Sequence, residues 1–313
     1  MPEPSDDGLT IARQRIAQER EQQTGFLDLC DLGLDGLPDE VFELTHLERL
    51  HLGRPLTYLG GAWHSDLDAR GTRNVVHAAD LERLANMPAL TALSVQDLAL
   101  SDLTPLIGDA PLSWLDVAET EVSDLSPLKQ VPGLRHLDCG ATQVSDLSPL
   151  AGVTGLQRLY CDGTHVSDLG PLARVPGLQR LDCSHTRVSD LWPLPHVVGL
   201  QRLDCASTHV SDLSPLAGVA GLQHLDCSET HVSDLWPLAH VAALQHLDCS
   251  RTQVSDLSPL AKVPGLQHLN CSHTRVSDLG PLAHVVGLQR LDCGRTQVLD
   301  LGPLGQVTGL QHL

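Results

Sequence analysis

Eight cysteines recur at intervals of 22 residues, and their type and spacing could support chemistry. A row of thiols can bind soft metal ions. No Cys-x-x-Cys pair is present, so the ligand spacing of zinc ribbons is missing. A fixed interval of this length marks one position of a repeat. We therefore expect reduced thiols that pack as small buried hydrophobes. The eight are Cys139, Cys161, Cys183, Cys205, Cys227, Cys249, Cys271 and Cys293.

A column of acidic residues directly precedes these cysteines, and a column of arginines and histidines lies two residues earlier. Residues two apart share one face of a strand. The two columns could neutralise each other, pair Asp with His around a divalent metal, or bind a partner. Nothing breaks the ladder to define a single metal site, so we predict no metal. The candidate partner-binding residues are Trp114, His136, Arg158, Tyr160, Arg180, Asp182, Arg202, Asp204, His224, His246, His268 and Arg290.

Histidine charge changes near neutral pH, whereas arginine stays charged. Asp226 and Asp248 lie beside the histidines and should favour the protonated imidazole, although stacked histidines oppose it. We therefore expect partner binding to respond to pH between about 5.5 and 7.5, through these histidines.

Two further sets of side chains could make contacts. Trp63 and His64 lie in a Gly-rich, polar stretch at 53–79, which is either a functional loop or a floppy insertion. Beyond each predicted strand, a varied set of residues would line the edge of the same surface. These edge residues are Glu119, His185, Glu229, Arg251, His273 and Arg295.

Enzyme signatures are missing. The only lysines are Lys129 and Lys262, and neither follows a glycine, so a Gly-Lys-Ser/Thr phosphate-binding loop is impossible within these residues. The metalloprotease motif His-Glu-x-x-His and the hydrolase motif Gly-x-Ser-x-Gly are also missing. We predict that the chain is not an enzyme and needs no cofactor.

The element that must position these side chains is a 22-residue unit repeated nine times from Pro111 to Thr308 without insertion or deletion. Its frame is Leu-x-x-Leu-x-Cys-x-x-Thr-x-Val-x-x-Leu-x-x-Leu. The Leu-x-Cys segment predicts a short strand that pairs in parallel with the next unit, about 4.8 Å away. The Ser-Asp-Leu-x-Pro-Leu segment predicts an Asp-capped 3₁₀ turn, because proline forbids a long helix there.

This frame resembles the leucine-rich-repeat family, and the Val-Ser-Asp-Leu-x-Pro-Leu half is similar to the short bacterial repeats of internalin-like proteins. The resemblance implies an α/β solenoid: a right-handed superhelix with a parallel concave sheet and 3₁₀ or irregular convex segments. It also implies a protein–protein interaction scaffold that binds through the concave face. The surface adhesins among internalins are a less favoured alternative, because no secretory signal is present.

The N-terminal part departs from the regular repeat. We expect a disordered start and a capping helix within 1–24, divergent repeats at 25–88 with a long loop at 53–79, and regular repeats at 89–313 that end mid-repeat without a cap. Residues 8–53 also resemble the start of repeat regions in bacterial Roco proteins. That resemblance implies an alternative role as the regulatory region of a larger Roco-like GTPase.

The net charge and the cysteine count limit the expected classes of partner and the expected cell compartment. The formal net charge is −19, so we expect neither nucleic acid nor membrane partners. An odd cysteine count and no apolar leader predict a reducing, cytoplasmic compartment. An uncapped strand edge at Leu310–Leu313 would invite self-association.

Overall fold

The computed structural model describes residues 6–54, 56–59, 62–65 and 71–313, with only the backbone described at 56–59 and 62–65. The chain divides into two compact units, Met1–Val144 (unit 1) and Ser145–Leu313 (unit 2). Within the described part, no helix combines the length and apolar character needed to cross a bilayer.

Unit 1 begins with a helix and continues into parallel strands. The strand order is β1-β2-β5-β6-β7, and β3 and β4 form a separate antiparallel hairpin. The elements are α1 (Asp6–Gln22), β1 (Phe26–Asp28), β2 (Arg49–His51), β3 (Leu56–Leu59), β4 (Ala62–Ser65), α2 (Ala78–Leu84), β5 (Ala92–Ser94), β6 (Trp114–Asp116) and β7 (His136–Asp138).

Helix α1 lies at the start of unit 1, and its buried residues include Ala12 and Ile16. It begins at Asp6, so Asp6 and Asp7 are helical and do not belong to a disordered start. Residues 1–5, the rest of that predicted start, lie outside the described residues. The buried Glu19 carboxylate accepts hydrogen bonds from Thr24 and from the Gly25 backbone N–H at 2.7 Å, and pairs with His46 Nε2 at 2.9 Å. Glu19 thereby ties the end of α1 to the first two repeats.

Unit 2 consists of seven strands of three residues in parallel, sequential order. The strands are β8 (Arg158–Tyr160), β9 (Arg180–Asp182), β10 (Arg202–Asp204), β11 (His224–Asp226), β12 (His246–Asp248), β13 (His268–Asn270) and β14 (Arg290–Asp292). A short 3₁₀ turn such as Ser214–Gly218 follows each strand along the chain. The expected leucine-rich-repeat fold is confirmed.

Each repeat folds in the same way because the same side chains meet the same backbone groups. In one repeat, Leu203 and Cys205 point inward and are buried, while Asp212 Oδ1 accepts a hydrogen bond from the Ser214 N–H at 2.7 Å. That bond caps the 3₁₀ turn, and Pro215 at its second position lacks the N–H that a longer helix would need. The turn aspartates are therefore structural.

The cysteine column is part of the core. Cys183 is buried, and its Sγ lies 3.4 Å from the Asp204 carbonyl oxygen of the next repeat, as a weak donor. Thr186 Oγ1 donates to the Cys183 carbonyl at 2.6 Å, so the threonine hydroxyl satisfies a buried backbone group. Burial raises the pKa of the Cys183 thiol.

These thiols should react slowly in the native protein. Burial in apolar surroundings disfavours the reactive thiolate. Cys293 is only partly buried, so it should be labelled first. Time-resolved labelling with a thiol reagent, read by mass spectrometry, checks this order. Rapid native labelling of Cys183, Cys205 and Cys227 would show that the core assignment is wrong.

The long loop is an insertion within one repeat. Strand β2 pairs directly with β5, with Leu50 opposite Leu93. Thr72 forms an isolated parallel bridge with Leu32, and α2 begins at Ala78, before the predicted end of the loop at residue 79. On its return, Asn74 Nδ2 donates to the carbonyls of Leu29 and Leu52, both at 2.7 Å. Its Oδ1 accepts from the Leu34 N–H at 2.9 Å. Asn74 thus connects the returning segment to the first two repeats by hydrogen bonds.

Two arginines hold the ends of this insertion. Arg54 Nε lies 2.7 Å from Asp97 Oδ2, and an Arg73 guanidinium nitrogen lies 2.7 Å from Asp97 Oδ1. Asp97 is buried, and its charge is paired with one arginine before the loop and one after it, although Oδ2 accepts no hydrogen bond from any described residue.

At the other end of the chain, Leu313 is 66% exposed, Leu310 is partly buried, and Arg290 forms an isolated parallel bridge with His312. Self-association through this edge stays a prediction.

Candidate functional site

The surface of interest is the strand face of unit 2, formed by the outward side chains at the first and third positions of β8–β14. Strand pairing places Arg158 opposite Arg180, and Arg180 opposite Arg202. The three arginines therefore occupy consecutive strands in register. No ion pair within 4.0 Å joins Arg180 or Arg202 to Asp182 or Asp204 among the described residues. These two arginines and two aspartates therefore do not neutralise each other through direct ion pairs.

The next three strands carry stacked histidines at the same position. The ring centroids of His224 and His246 are 4.2 Å apart with an interplanar angle of 9°. His246 and His268 are also 4.2 Å apart, tilted by 47°. Arg290 follows His268 on the last strand. The first-position column therefore runs from three arginines through three imidazoles to a fourth arginine.

In the third-position acids, one carboxylate oxygen accepts a backbone hydrogen bond from the turn that follows the strand. Asp182 Oδ1 accepts from the Ser184 N–H at 3.0 Å, and Asp204 Oδ1 accepts from the Ala206 N–H at 3.0 Å. Asn270 does the same for the Ser272 N–H at 3.1 Å, and its Nδ2 donates to Asp248 Oδ2 at 2.7 Å. An amide can therefore replace the carboxylate without losing the turn.

Two of these acids, Asp204 and Asp226, have raised pKa values. Burial raises the pKa of Asp204 to about 7, helped by the charges of Asp182 and Asp226. Burial also raises the pKa of Asp226. Stacked carboxylates on adjacent strands oppose one another's ionisation.

The histidines behave in the opposite way to our expectation. Burial lowers the pKa of His224 to about 4, and the neighbouring charges of Arg202 and His246 lower it further. The pKa values of His246 and His268 are also lowered, first by burial. The prediction that these imidazoles gain a proton from the adjacent aspartates is therefore wrong, because desolvation and cationic neighbours outweigh the acids.

The second half of this face forms an open groove with a volume of about 660 Å³, which runs from Arg202 to the last residues of the chain. Its walls are the histidine stack and the aspartate column. Among the described residues, no group of three or more His, Cys, Asp or Glu side chains could hold a metal ion.

Unit 1 presents a different strand face, made of aromatic rings. Phe26 packs edge-on against His51 at 5.1 Å, and Trp114 stacks on His136 at 5.1 Å. His51 and Trp114 are stacked at 6.2 Å, although β5 lies between their two strands. The candidates Trp114 and His136 therefore belong to a ladder that also contains Phe26 and His51. Sequence reasoning missed these two, although both occupy strand positions.

The remaining candidates are placed as follows. The edge residues lie in a tight turn after the strand, with left-handed backbone at Glu119, His185, Glu229, Arg251, His273 and Arg295. Trp63 and His64 lie in β4, opposite Tyr58 and Thr57 of β3. Their side chains lie outside the described residues.

Comparison with known proteins agrees with this geometry. Residues 242–284 match the family model of leucine-rich repeats in two copies. The chain has the leucine-rich-repeat fold. An internalin of Listeria monocytogenes, inlF, superposes with a TM-score of 0.78 at 23% identity, covering 100% of this chain and 97% of that one. No curated protein sequence matches.

Two other solved structures share the fold. The functional domain of InlJ from Listeria monocytogenes, which includes a cysteine ladder, has a TM-score of 0.68 at 19% identity over 98% of this chain and 73% of that one. An octameric complex of Latrophilin 3, Unc5D and the repeat region of FLRT2 contains a chain with a TM-score of 0.66 at 15% identity, over 88% and 83% of the two chains. The resemblance of residues 8–53 to Roco proteins stays a prediction.

Proposed function

We propose that this chain is a non-catalytic scaffold that binds a protein partner through the strand face of unit 2. The observation that carries the proposal is the arginine row Arg158, Arg180 and Arg202. Three cations in register on adjacent strands repel one another, and Arg180 and Arg202 have no ion pair with the neighbouring Asp182 and Asp204. A protein surface that supplies anions would stabilise them.

Two further features support a binding role. The inward side chains repeat almost unchanged from unit to unit, whereas the outward first-position side chains change from arginine to histidine. Solenoids use such extended sheet surfaces for binding. The FLRT2 repeat region is one component of an octameric protein complex, which is consistent with a binding role for this fold.

The test removes the arginine row as a unit, since a single exposed charge contributes little. We expect the R158Q/R180Q/R202Q variant to bind the purified natural partner at least about tenfold more weakly. Its thermal unfolding should be unchanged, because none of the three side chains belongs to the buried core.

A matched control removes the same charge elsewhere. Lys129, Arg174 and Lys262 are exposed and lie in the last turns of three 3₁₀ segments. The K129Q/R174Q/K262Q variant should keep the affinity of the wild type. Equal affinity of both triple variants for the partner would reject this face as the binding surface.

A further inference from the structure

We infer that the partner segment bound by this face is acidic and extended, with carboxylates three residues apart, and that proton uptake by Asp204 strengthens its binding. The inference rests on the proposed function and names the chemistry of the ligand and its regulation.

The nearby aspartates Asp182 and Asp204 make no direct ion pair with Arg180 or Arg202, although the Asp204 charge acts on Arg202. Strand β8 carries Tyr160 at its third position, where β9 and β10 carry aspartates. Burial, and next the charge of Arg180, lower the pKa of Arg202. The Arg202 guanidinium is therefore partly desolvated and lies close to the positive charge of Arg180. A carboxylate placed between the two would form charge-assisted hydrogen bonds with both.

The spacing of the row suits an extended polypeptide that crosses the strands. Arg158 and Arg202 are two strand spacings apart, or about 9.6 Å. An extended chain advances about 10 Å in three residues. Acidic residues at positions i and i+3 would therefore reach the two outer arginines. Beyond Arg202, the neutral histidine stack and the groove suit uncharged side chains.

A nucleic acid fits this surface less well. A bound phosphate backbone needs a longer basic track, whereas the net charge of this chain is −19. Acids elsewhere on the chain act weakly at the arginine row, since charges beyond about 8 Å are screened at physiological salt. A short acidic segment can therefore bind where a long polyanion is repelled.

Proton linkage follows from the groups around Asp204. They are Asp162 in the turn after β8, Arg180 and Asp182 on β9, Arg202 on β10, and His224 and Asp226 on β11. His224 is neutral above pH 5, since its pKa is about 4. Asp204, with its pKa raised to about 7 by burial and then by Asp182, changes charge near neutral pH.

An anionic ligand at the arginine row favours the protonated, neutral form of Asp204. Ligand binding therefore takes up a proton, and affinity should rise as pH falls through about 7 and decline as pH rises above it. The pH window we first assigned to the histidines thus belongs to Asp204 in this inference.

The experiment uses the full chain and two rhodamine-labelled peptides, Gly-Asp-Gly-Gly-Asp-Gly-Gly and its Asn-for-Asp counterpart, followed by fluorescence anisotropy at pH 6 and pH 8. We expect the acidic peptide to bind at least about tenfold more tightly than the Asn peptide. The R180Q/R202Q variant should lose this preference, whereas R174Q/K262Q should keep it. Binding should be tighter at pH 6 than at pH 8.

The D204N variant tests the contribution of the Asp204 proton, because asparagine cannot titrate. Asn270 already shows that an amide supports the turn at this position. We expect D204N to bind the acidic peptide at pH 8 as tightly as the wild type binds it at pH 6. An unchanged pH dependence in D204N would overturn the proton-uptake part of the inference.

Other outcomes reject the acidic ligand. Equal binding of the two peptides, unchanged binding by R180Q/R202Q, or a preference for a single-stranded oligonucleotide would each do so. If these peptides fail while R158Q/R180Q/R202Q still loses the natural partner, the inference is wrong and the proposed function stands. If that triple variant keeps its partner, the proposed function is wrong as well.

Discussion

Replacement of Glu19 by alanine is expected to lower the free energy of unfolding of unit 1 by about 3 kcal/mol, because it removes a buried acceptor that several donors share. The Gly25 N–H and the Thr24 hydroxyl would lose their partner, and His46 would lose its pair. Chemical denaturation of the purified variant measures the loss.

The pH dependence of this effect has a defined sign. Burial alone would raise the pKa of Glu19, but hydrogen bonds from Thr24, Gly25 and His46 lower it below its ordinary value of 4.5. A lowered carboxyl pKa contributes stability above the unfolded pKa, and this contribution is lost as pH falls through the folded value. The difference between wild type and E19A should therefore be full at pH 7 and shrink below about pH 4.

Arg20 provides the control, because it pairs with Glu43 on the exposed side of α1. The R20Q variant should change stability by less than about 1 kcal/mol. Equal losses in E19A and R20Q would show that the buried carboxylate is not what ties α1 to the first repeats.

Replacement of Asp97 by alanine is expected to lower the free energy of unfolding of unit 1 by about 2 to 3 kcal/mol and to loosen the insertion. The change leaves Arg54 without its 2.7 Å partner and places alanine at a left-handed backbone position, φ 59°. Hydrogen exchange at residues 71–77 should become faster, because the pairs of Arg54 and Arg73 with Asp97 (the arginine clamp) hold both ends of the loop.

Two further variants separate the effect of losing the Asp97 charge from the effect of the left-handed backbone. D97N keeps a residue type that tolerates left-handed backbone but removes the charge, so it should lose less than D97A. R73Q should cost less than about 1 kcal/mol, because Arg73 is well exposed. Unchanged exchange at 71–77 in D97A would contradict the clamp.

Much of the fold follows from the sequence because one frame is written nine times. The parallel strands, the buried Cys183 and Thr186, and the Asp212 cap each follow from a single repeat, and the structure shows all of them. A solenoid contacts mainly its neighbours, so one correctly aligned repeat predicts the next.

The rest depends on features that periodicity does not contain. The turn geometry gives His185 a left-handed backbone conformation, which few non-glycine residues adopt. The buried network of Glu19 and the Arg54–Asp97 pair joins residues far apart in the chain. The protonation of His224 was mispredicted because its desolvation could not be read from its sequence neighbours.

The strand face of unit 2 as the binding surface is tested most directly by hydrogen exchange of the complex with the natural partner, compared with the free chain. We predict slower exchange at β8–β12 and in the tight left-handed turns directly after these strands. Exchange should be unchanged in the segments around the exposed Trp192 and Trp236. Protection confined to the segments around these tryptophans, with none at β8–β12, would contradict the account.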